Sequence, residues 1–330
     1  MMKIDKIFID MADELNLGGI IASVEPVLGG YMHKMYSLET TGGKYAVKLL
    51  NPAVMTRPDI FDNYKIAEDL ERKLQNADIP IVPALEFGGK KMQYIDGQYF
   101  YVFEWVDGAA TESKKVTEAH CEIIGAIVAK IHKVEQTETP SKGFTIDIDW
   151  DCFIELSKEK CPEITGLLTD NRELLYATQQ DGNAALKGLS NLSCICHMDM
   201  DVKNVLWVGG LPKIIDLECL WYENPHLNLF QLTLDWCGYM HNDVDFGLLR
   251  VFMNAYIREY GEIGADWEML YNSNLGIFMW LEYNTKRALG IECKDEEERQ
   301  LGINMVKYSI ERLIYYNSIK HDLLRELNTL

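Results

Sequence analysis

The run CICHMDMDVKNVLWVGGLPKIIDLECLW, Cys194 to Trp221, decides how this chain is read. It opens on His197-Met198-Asp199, with Asn204 five positions after the aspartate. The apolar run 204–208 reads as a strand, Gly209-Gly210 as a turn, and 213–215 as a returning strand that ends at Asp216. Two short strands joined by a glycine pair are a hairpin signal. A hairpin brings its ends together, so Asp199 and Asn204 are expected close to Asp216. Two carboxylates and a carboxamide converging in this way suit a hard, oxygen-seeking cation such as Mg²⁺. One carboxylate can instead orient a hydroxyl nucleophile, leaving the other two groups to the metal, which is the set that phosphoryl transfer requires. Either Asp199 or Asn204 alone would read as a turn cap; the full set around a hairpin is more specific.

With those residues in hand, the stretch resembles the aminoglycoside phosphotransferase and choline kinase branch of the kinase-like fold. H-x-D-x-x-x-x-N appears as His197-Met-Asp199-Met-Asp-Val-Lys-Asn204, and I-D-x-E as Ile215-Asp216-Leu-Glu218. The resemblance implies ATP and Mg²⁺ as cofactors, Asp199 as catalytic base, and Asn204 and Asp216 as metal ligands. It also implies a two-lobed α+β fold: an N-terminal antiparallel sheet with one helix over residues 1–106, and a helical lobe over 107–330 with ATP in the cleft. One position departs from the pattern. Two residues after the aspartate, where protein kinases carry lysine and many aminoglycoside enzymes histidine, this chain has Asp201, open to binding a cationic acceptor or to capping its loop, with the loop role preferred.

Upstream, residues 22–50 read as antiparallel strands joined at Gly29-Gly30 and Gly42-Gly43. By resemblance the first glycine pair drapes over phosphate, and glycine there permits close backbone approach; a polar run to His33 follows it. Lys48 ends the alternating run Tyr45-Ala-Val-Lys48 and matches the family's ATP-binding lysine. A helix starting at Pro58 or Asp59, with Ile60, Tyr64, Ala67, Leu70 and Leu74 as its apolar stripe, is expected to offer the lysine a counter-ion. Glu68 is the first choice for that partner and Glu71 the second. Residues 79–91 and 98–108 read as two more strands. The second closes on Glu104-Trp105-Val106, where the resemblance places backbone hydrogen bonds to adenine around Glu104 and Val106.

The remaining segments read as scaffold. Thr117 caps a helix with Cys121, Ile124, Ile127, Val128 and Ile131 inside, and Gly125 within it marks close packing against a neighbour. Residues 136–144 read as a surface connection. Helical patterns cover 246–260, 267–288 and 295–326, the last with Ile303, Val306, Ile310, Leu313 and Ile314 inside. The N-terminus is expected to form an amphipathic helix with Ile4, Phe8, Met11 and Leu15 on one face.

Composition bounds the partners. The 330 residues amount to about two domains at ~150 residues each, and a 48% hydrophobic content supplies a sizeable core. Thirty-two basic against fifty-one acidic residues give a net charge of −19, which argues against nucleic-acid or anionic-membrane partners and is compatible with a small, cationic acceptor. Glu218, Asp235 and Glu282 are acidic candidates to receive an amine. No apolar run reaches the ~18 residues of a membrane span. Eight cysteines without a C-x-x-C pair predict free thiols in a reducing cytoplasm, with Cys194 and Cys196 on one face if their stretch is a strand. No residue pattern sets an oligomeric state. Two other classes remain open at this level: a nucleotide-binding kinase-like protein without catalysis, and a hydrolase holding a transition metal on His197, Asp199 and Asp201.

Overall fold

The computed structural model describes residues 6–27, 32–138 and 145–330. By its contacts the chain divides into two units, Met1–Glu112 with His197–Trp221, and Ser113–Cys196 with Tyr222–Leu330.

The first unit is built on a five-stranded antiparallel sheet. Its strands are β1 (Glu25–Val27), β2 (Lys34–Thr40), β3 (Gly43–Leu49), β4 (Gln93–Ile95) and β5 (Gln98–Glu104), in the order β1-β2-β3-β5-β4. Thr40 pairs with Gly43 across the β2–β3 turn, as the Gly42-Gly43 pair predicts. Helix α1 (Lys6–Glu14) buries Phe8 and Met11 against Leu38, Val47, Phe100 and Val102. Helix α2 (Ile60–Asn76) buries Tyr64, Ala67, Leu70 and Leu74, the stripe expected of it. Asp59 does precede its first turn, at a φ of 60°, but its side chain makes no capping hydrogen bond. Residues 79–91 do not form the expected strand. Pro80 and Pro83 remove two backbone donors, and the segment makes isolated bridges, Ile81 to Ile214, Ala84 to Phe103 and Phe87 to Lys90, rather than a strand.

The stretch around Asp199 folds as read. Val205–Val208 and Leu211–Ile214 pair antiparallel, with Val208 opposite Leu211. Gly209 and Gly210 have φ of 57° and 83°, the two positive values that a tight two-residue hairpin turn requires. Strand β6 (Ala109–Ala110) adds to this hairpin beside Leu206 and Trp207, which ties the chain just past the predicted adenine segment to the strands flanking Asn204 and Asp216.

The second unit is mostly helical. Its helices are α3 (Glu118–Val134), α4 (Trp150–Lys160), α5 (Pro162–Asp170), α6 (Arg172–Gly188), α7 (Pro225–Trp236), α8 (Phe246–Tyr260), α9 (Trp267–Ser273), α10 (Gly276–Ala288) and α11 (Glu296–Leu327). Strand β7 (Gln136–Glu138) pairs with β8 (Leu192–His197), so part of the expected surface connection is a strand. A core of Trp150, Ile164, Leu168, Leu175, Phe278, Ile303, Val306, Ile310 and Leu313 runs through α4, α5, α6, α10 and α11. Two expectations need correction. The single helix over 267–288 is two, broken at Asn274-Leu275. Ile314 is 46% exposed: residues 303, 306, 310 and 313 already complete one stripe, and the next residue points ~100° away from it.

Among the described residues, no helix is long and apolar enough to cross a membrane.

Candidate active site

The hairpin and the loop before it hold the site together through backbone bonds. The His197 ring is buried; its Nδ1 accepts from the Asp199 N–H (3.2 Å) and its Nε2 donates to the Ile215 carbonyl (3.1 Å). Burial lowers its pKa, which keeps the ring neutral with its proton on Nε2. Both nitrogens are therefore committed to backbone, and the transition-metal reading on His197, Asp199 and Asp201 loses its imidazole. The Ile215 N–H donates to the Asn204 carbonyl (3.0 Å). Loop and returning strand are thus laced on both sides of residue 215, one position before Asp216.

Asn204 is 5% exposed. Its side-chain NH₂ donates to the Asp199 backbone carbonyl (2.7 Å) and to the Asp199 carboxylate (3.0 Å). With the amide nitrogen so used, the oxygen is the atom that Asn204 offers a cation. Lys203 Nζ lies 3.1 and 3.3 Å from the two Asp199 oxygens and 2.6 Å from Asp201. Asp201 also accepts the Lys203 backbone N–H (3.0 Å), the loop-capping role expected of it. Burial raises the Asp199 pKa; the charge of Lys203 works against this, and the charges of Asp201 and Asp216 add to it.

Asp216 sits in the left-handed region, φ 63° and ψ 47°. Few residues other than glycine tolerate this, and aspartate is among them. Its carboxylate meets Lys48 Nζ at 2.5 Å, and Glu218 meets the same ammonium at 2.6 Å. Lys48 is buried; burial favours its neutral form, yet the two carboxylates outweigh this and raise its pKa. On its other side Glu218 accepts from His33 Nε2 (3.2 Å). The tautomer follows from the opposite nitrogen, since His33 Nδ1 accepts the Asn51 backbone N–H (3.0 Å). The Tyr64 hydroxyl lies 3.2 Å from the same Nε2. Burial opposes ionisation of Glu218, but the His33 hydrogen bond and the Lys48 charge hold its pKa down to about 2.

The predicted counter-ion on α2 is elsewhere engaged. Glu68 accepts from the Tyr101 hydroxyl (2.9 Å) and pairs loosely with Arg72 (4.0 Å). Glu71 is buried against Lys91 (2.6 Å) and the Ala84 N–H (2.8 Å). Lys48 takes its carboxylates from the hairpin's far end instead. Sequence reasoning singled out Glu218 as the last residue of the I-D-x-E stretch and as a possible amine receptor, not as a partner of Lys48, and His33 only as the polar end of a glycine-pair run. The signal for Glu218 was its spacing, two residues after Asp216; nothing in the local pattern marks His33 as its partner.

At the other end of the sheet, Glu104 closes β5 opposite Tyr45. The Trp105 N–H donates to the Lys44 carbonyl (3.1 Å), the Lys44 ammonium lies 4.1 Å from the Trp105 ring centre, and the Val106 carbonyl accepts from Gly108 (2.9 Å). Gly29 and Gly30 lie outside the described residues.

This donor set fits a divalent cation and a polyphosphate. Carboxylate and carboxamide oxygens from Asp199, Asn204, Asp216 and Glu218 are hard ligands. Lys48 and Lys203 add two ammonium groups, and the Lys48 ammonium already lies against two of the carboxylates, so positive charge is accommodated there.

Comparison with known proteins agrees with this chemistry. A profile of the phosphotransferase enzyme family matches residues 23–270. No curated protein sequence matches the chain. Among solved structures, a spectinomycin phosphotransferase in complex with ADP and spectinomycin is 14% identical, with a TM-score of 0.68 over 93% of this chain and 98% of that one. An amicoumacin kinase in complex with AMP-PNP, Ca²⁺ and Ami is 13% identical, with a TM-score of 0.61 over 93% and 94%. An ethanolamine kinase from Plasmodium vivax is 15% identical, with a TM-score of 0.56 over 92% and 87%. At such identities the likeness establishes the kinase-like fold.

Proposed function

Because the chain belongs to the phosphotransferase enzyme family, we propose that it transfers the γ-phosphoryl group of ATP to a hydroxyl of a small acceptor bearing a cationic group. An aminoglycoside, choline, or a related amino alcohol or amino sugar has that chemistry. One observation carries the reading. A single loop and hairpin presents a carboxylate fixed by Asn204 and, beyond the turn, two further carboxylates joined to Lys48.

In this reading Asp199 accepts the acceptor's proton. The Asp199 side chain is 39% exposed, open to an incoming hydroxyl, and a loose transition state does not require that hydroxyl to be deprotonated beforehand. Asn204 and Asp216 would hold Mg²⁺ through their side-chain oxygens. Lys48, released from Asp216, orients the α and β phosphates while Glu218 keeps its ammonium in place; His33 in turn fixes Glu218. Backbone groups of Glu104 and Val106 would receive adenine, and the Gly29-Gly30 pair is assigned to the phosphates by the sequence resemblance alone. When bound, Mg²⁺–ATP supplies the phosphoryl group and positive charge on the phosphate oxygens. The protein's share of the barrier reduction is positioning and fixed charge.

A non-catalytic nucleotide binder would have no use for Asp199, whose carboxylate is nonetheless held in one orientation by Asn204 and Lys203. The test is a coupled assay against aminoglycosides, choline, ethanolamine and amino sugars, with variants. Asp199→Asn is expected to lower kcat by ~10²–10⁴-fold while leaving nucleotide affinity nearly intact. Asp216→Ala is expected to abolish Mg²⁺-dependent nucleotide binding in a thermal-shift titration. Full turnover in both variants would sink the assignments.

A further inference from the structure

Away from the carboxylates and lysines, a second group of side chains gathers in the helical unit, and its ligands are soft rather than hard. Strand β8 alternates its side chains, so Cys194 and Cys196 share a face. Both are fully buried, with their Sγ atoms 3.5 Å apart. His132, two residues from the end of α3, is also fully buried and brings Nε2 to 3.6 Å from Cys196 Sγ. The three donor atoms all lie within 4.8 Å of one another. Around a tetrahedral ion with bonds of ~2.3 Å to sulfur and ~2.0 Å to nitrogen, the S···S edge is ~3.8 Å and the S···N edge ~3.5 Å. The Cys194–Cys196 and Cys196–His132 separations, 3.5 and 3.6 Å, differ from those edges by a few tenths of an ångström, and the Cys194–His132 pair lies within 4.8 Å.

The surroundings supply what such a site needs. His132 Nδ1 lies 3.0 Å from the Tyr256 hydroxyl, the kind of outer bond that fixes the ring of a ligating histidine. The Asn228 Oδ1 is 3.0 Å from Nε2, and the Glu223 carbonyl is 3.6 Å from Cys196 Sγ. Two oxygen donors therefore border the cluster.

We propose that His132, Cys194 and Cys196 form a buried structural site for a thiophilic divalent ion, Zn²⁺ by ligand chemistry, with the Asn228 amide oxygen closing the coordination. Two sulfurs and an imidazole select against Mg²⁺ and Ca²⁺, which prefer oxygen. Binding releases the two thiol protons to solvent, replaces the Nε2–H bond to Asn228 Oδ1, and moves the imidazole proton from Nε2 to Nδ1, where it donates to the Tyr256 oxygen as that hydroxyl turns its own proton away. The ion cross-links residues 132 and 194–196, distant in sequence, and its role is to hold the strand that continues directly into His197 and Asp199.

The experiment uses full-length protein with any affinity tag removed, grown with added zinc and dialysed against Mg²⁺ buffer. Plasma mass spectrometry is expected to find about one zinc per chain, and X-ray absorption to find two sulfurs at ~2.3 Å with nitrogen at ~2.0 Å. Cobalt-reconstituted protein is expected to show a thiolate-to-cobalt charge-transfer band. Cys194→Ser and Cys196→Ser should each lower the metal content to background, whereas Cys293→Ser should retain it. Zinc with an oxygen-only shell would locate the ion at the carboxylates and overturn the proposal. So would zinc at background in the wild type, metal retained in both serine variants, or a Cys194–Cys196 disulfide in the isolated protein. Should the serine variants not fold, the wild-type absorption spectrum decides alone.

Discussion

Asp199 is caught between opposing influences, and their balance can be measured. Burial raises its pKa, Lys203 pulls it back, and Asp201 and Asp216 push it up again. In the role of base proposed for it, Asp199 works only when deprotonated, so activity should fall on the acid side as pH drops through that pKa. Removing Lys203 deletes the influence that favours the carboxylate. In Lys203→Ala the acid limb of the kcat/KM profile should therefore move to higher pH, with the alkaline side little affected. A limb that stays in place would mean that Lys203 does not act on Asp199. At this scale the chain's own pattern revealed the motif but not its pairings. The spacing of Asp199, Asn204 and Asp216 is written in one continuous run, and a glycine pair with two positive φ values folds it in only one way. The partner of Lys48 is not written locally. Glu68 and Glu71 both stand beside the apolar stripe of α2, and helix periodicity does not say that Tyr101 and Lys91 would claim them first. Glu218 lies 170 residues from Lys48, and only the folded sheet and hairpin bring the two together.

Elements were legible where one period dominated. The β2–β3 hairpin, α2, α3, α8 and α11 carry unbroken alternation or an unbroken stripe. The segment 79–91 failed because prolines interrupt an otherwise strand-like composition, and 267–288 because Asn274 breaks the pattern at a point where apolar residues continue on both sides. Gly125 shows how a single residue can report on an element pair. An added Cβ there would stand 2.4 Å from the Phe252 carbonyl oxygen and 3.2 Å from the Ala255 Cβ, both on α8. Alanine would gain ~1 kcal/mol of helix propensity over glycine. The clash is with backbone, which does not swing aside, and overpacking of that kind costs ~1–3 kcal/mol. Gly125→Ala should consequently be destabilising on balance, seen as a lower thermal midpoint with unchanged helical content. A midpoint equal to or above the wild type would show that α3 and α8 are less closely apposed than described.

Over the whole molecule, the excess of nineteen negative charges becomes a statement about which acceptor the enzyme collects. The field of such a chain reaches ~30 Å at 0.01 M ionic strength and only ~8 Å at 0.15 M. A cationic acceptor is drawn in by that field at low salt, and electrostatic steering of this sort changes encounter rates by ~10-fold or more. A neutral sugar of similar size feels none of it. With nucleotide saturating, the KM of a cationic acceptor should therefore rise severalfold between those two ionic strengths, while the KM of a neutral one should stay within about twofold. The comparison is internal to one enzyme, so salt effects on stability or on the nucleotide affect both acceptors alike and cancel. Equal salt responses would assign the acidity to the surface at large and remove charge as a guide to the acceptor. A response confined to cations would instead direct attention to individual carboxylates such as Asp235 and Glu282, whose replacement by asparagine and glutamine should then reduce the difference.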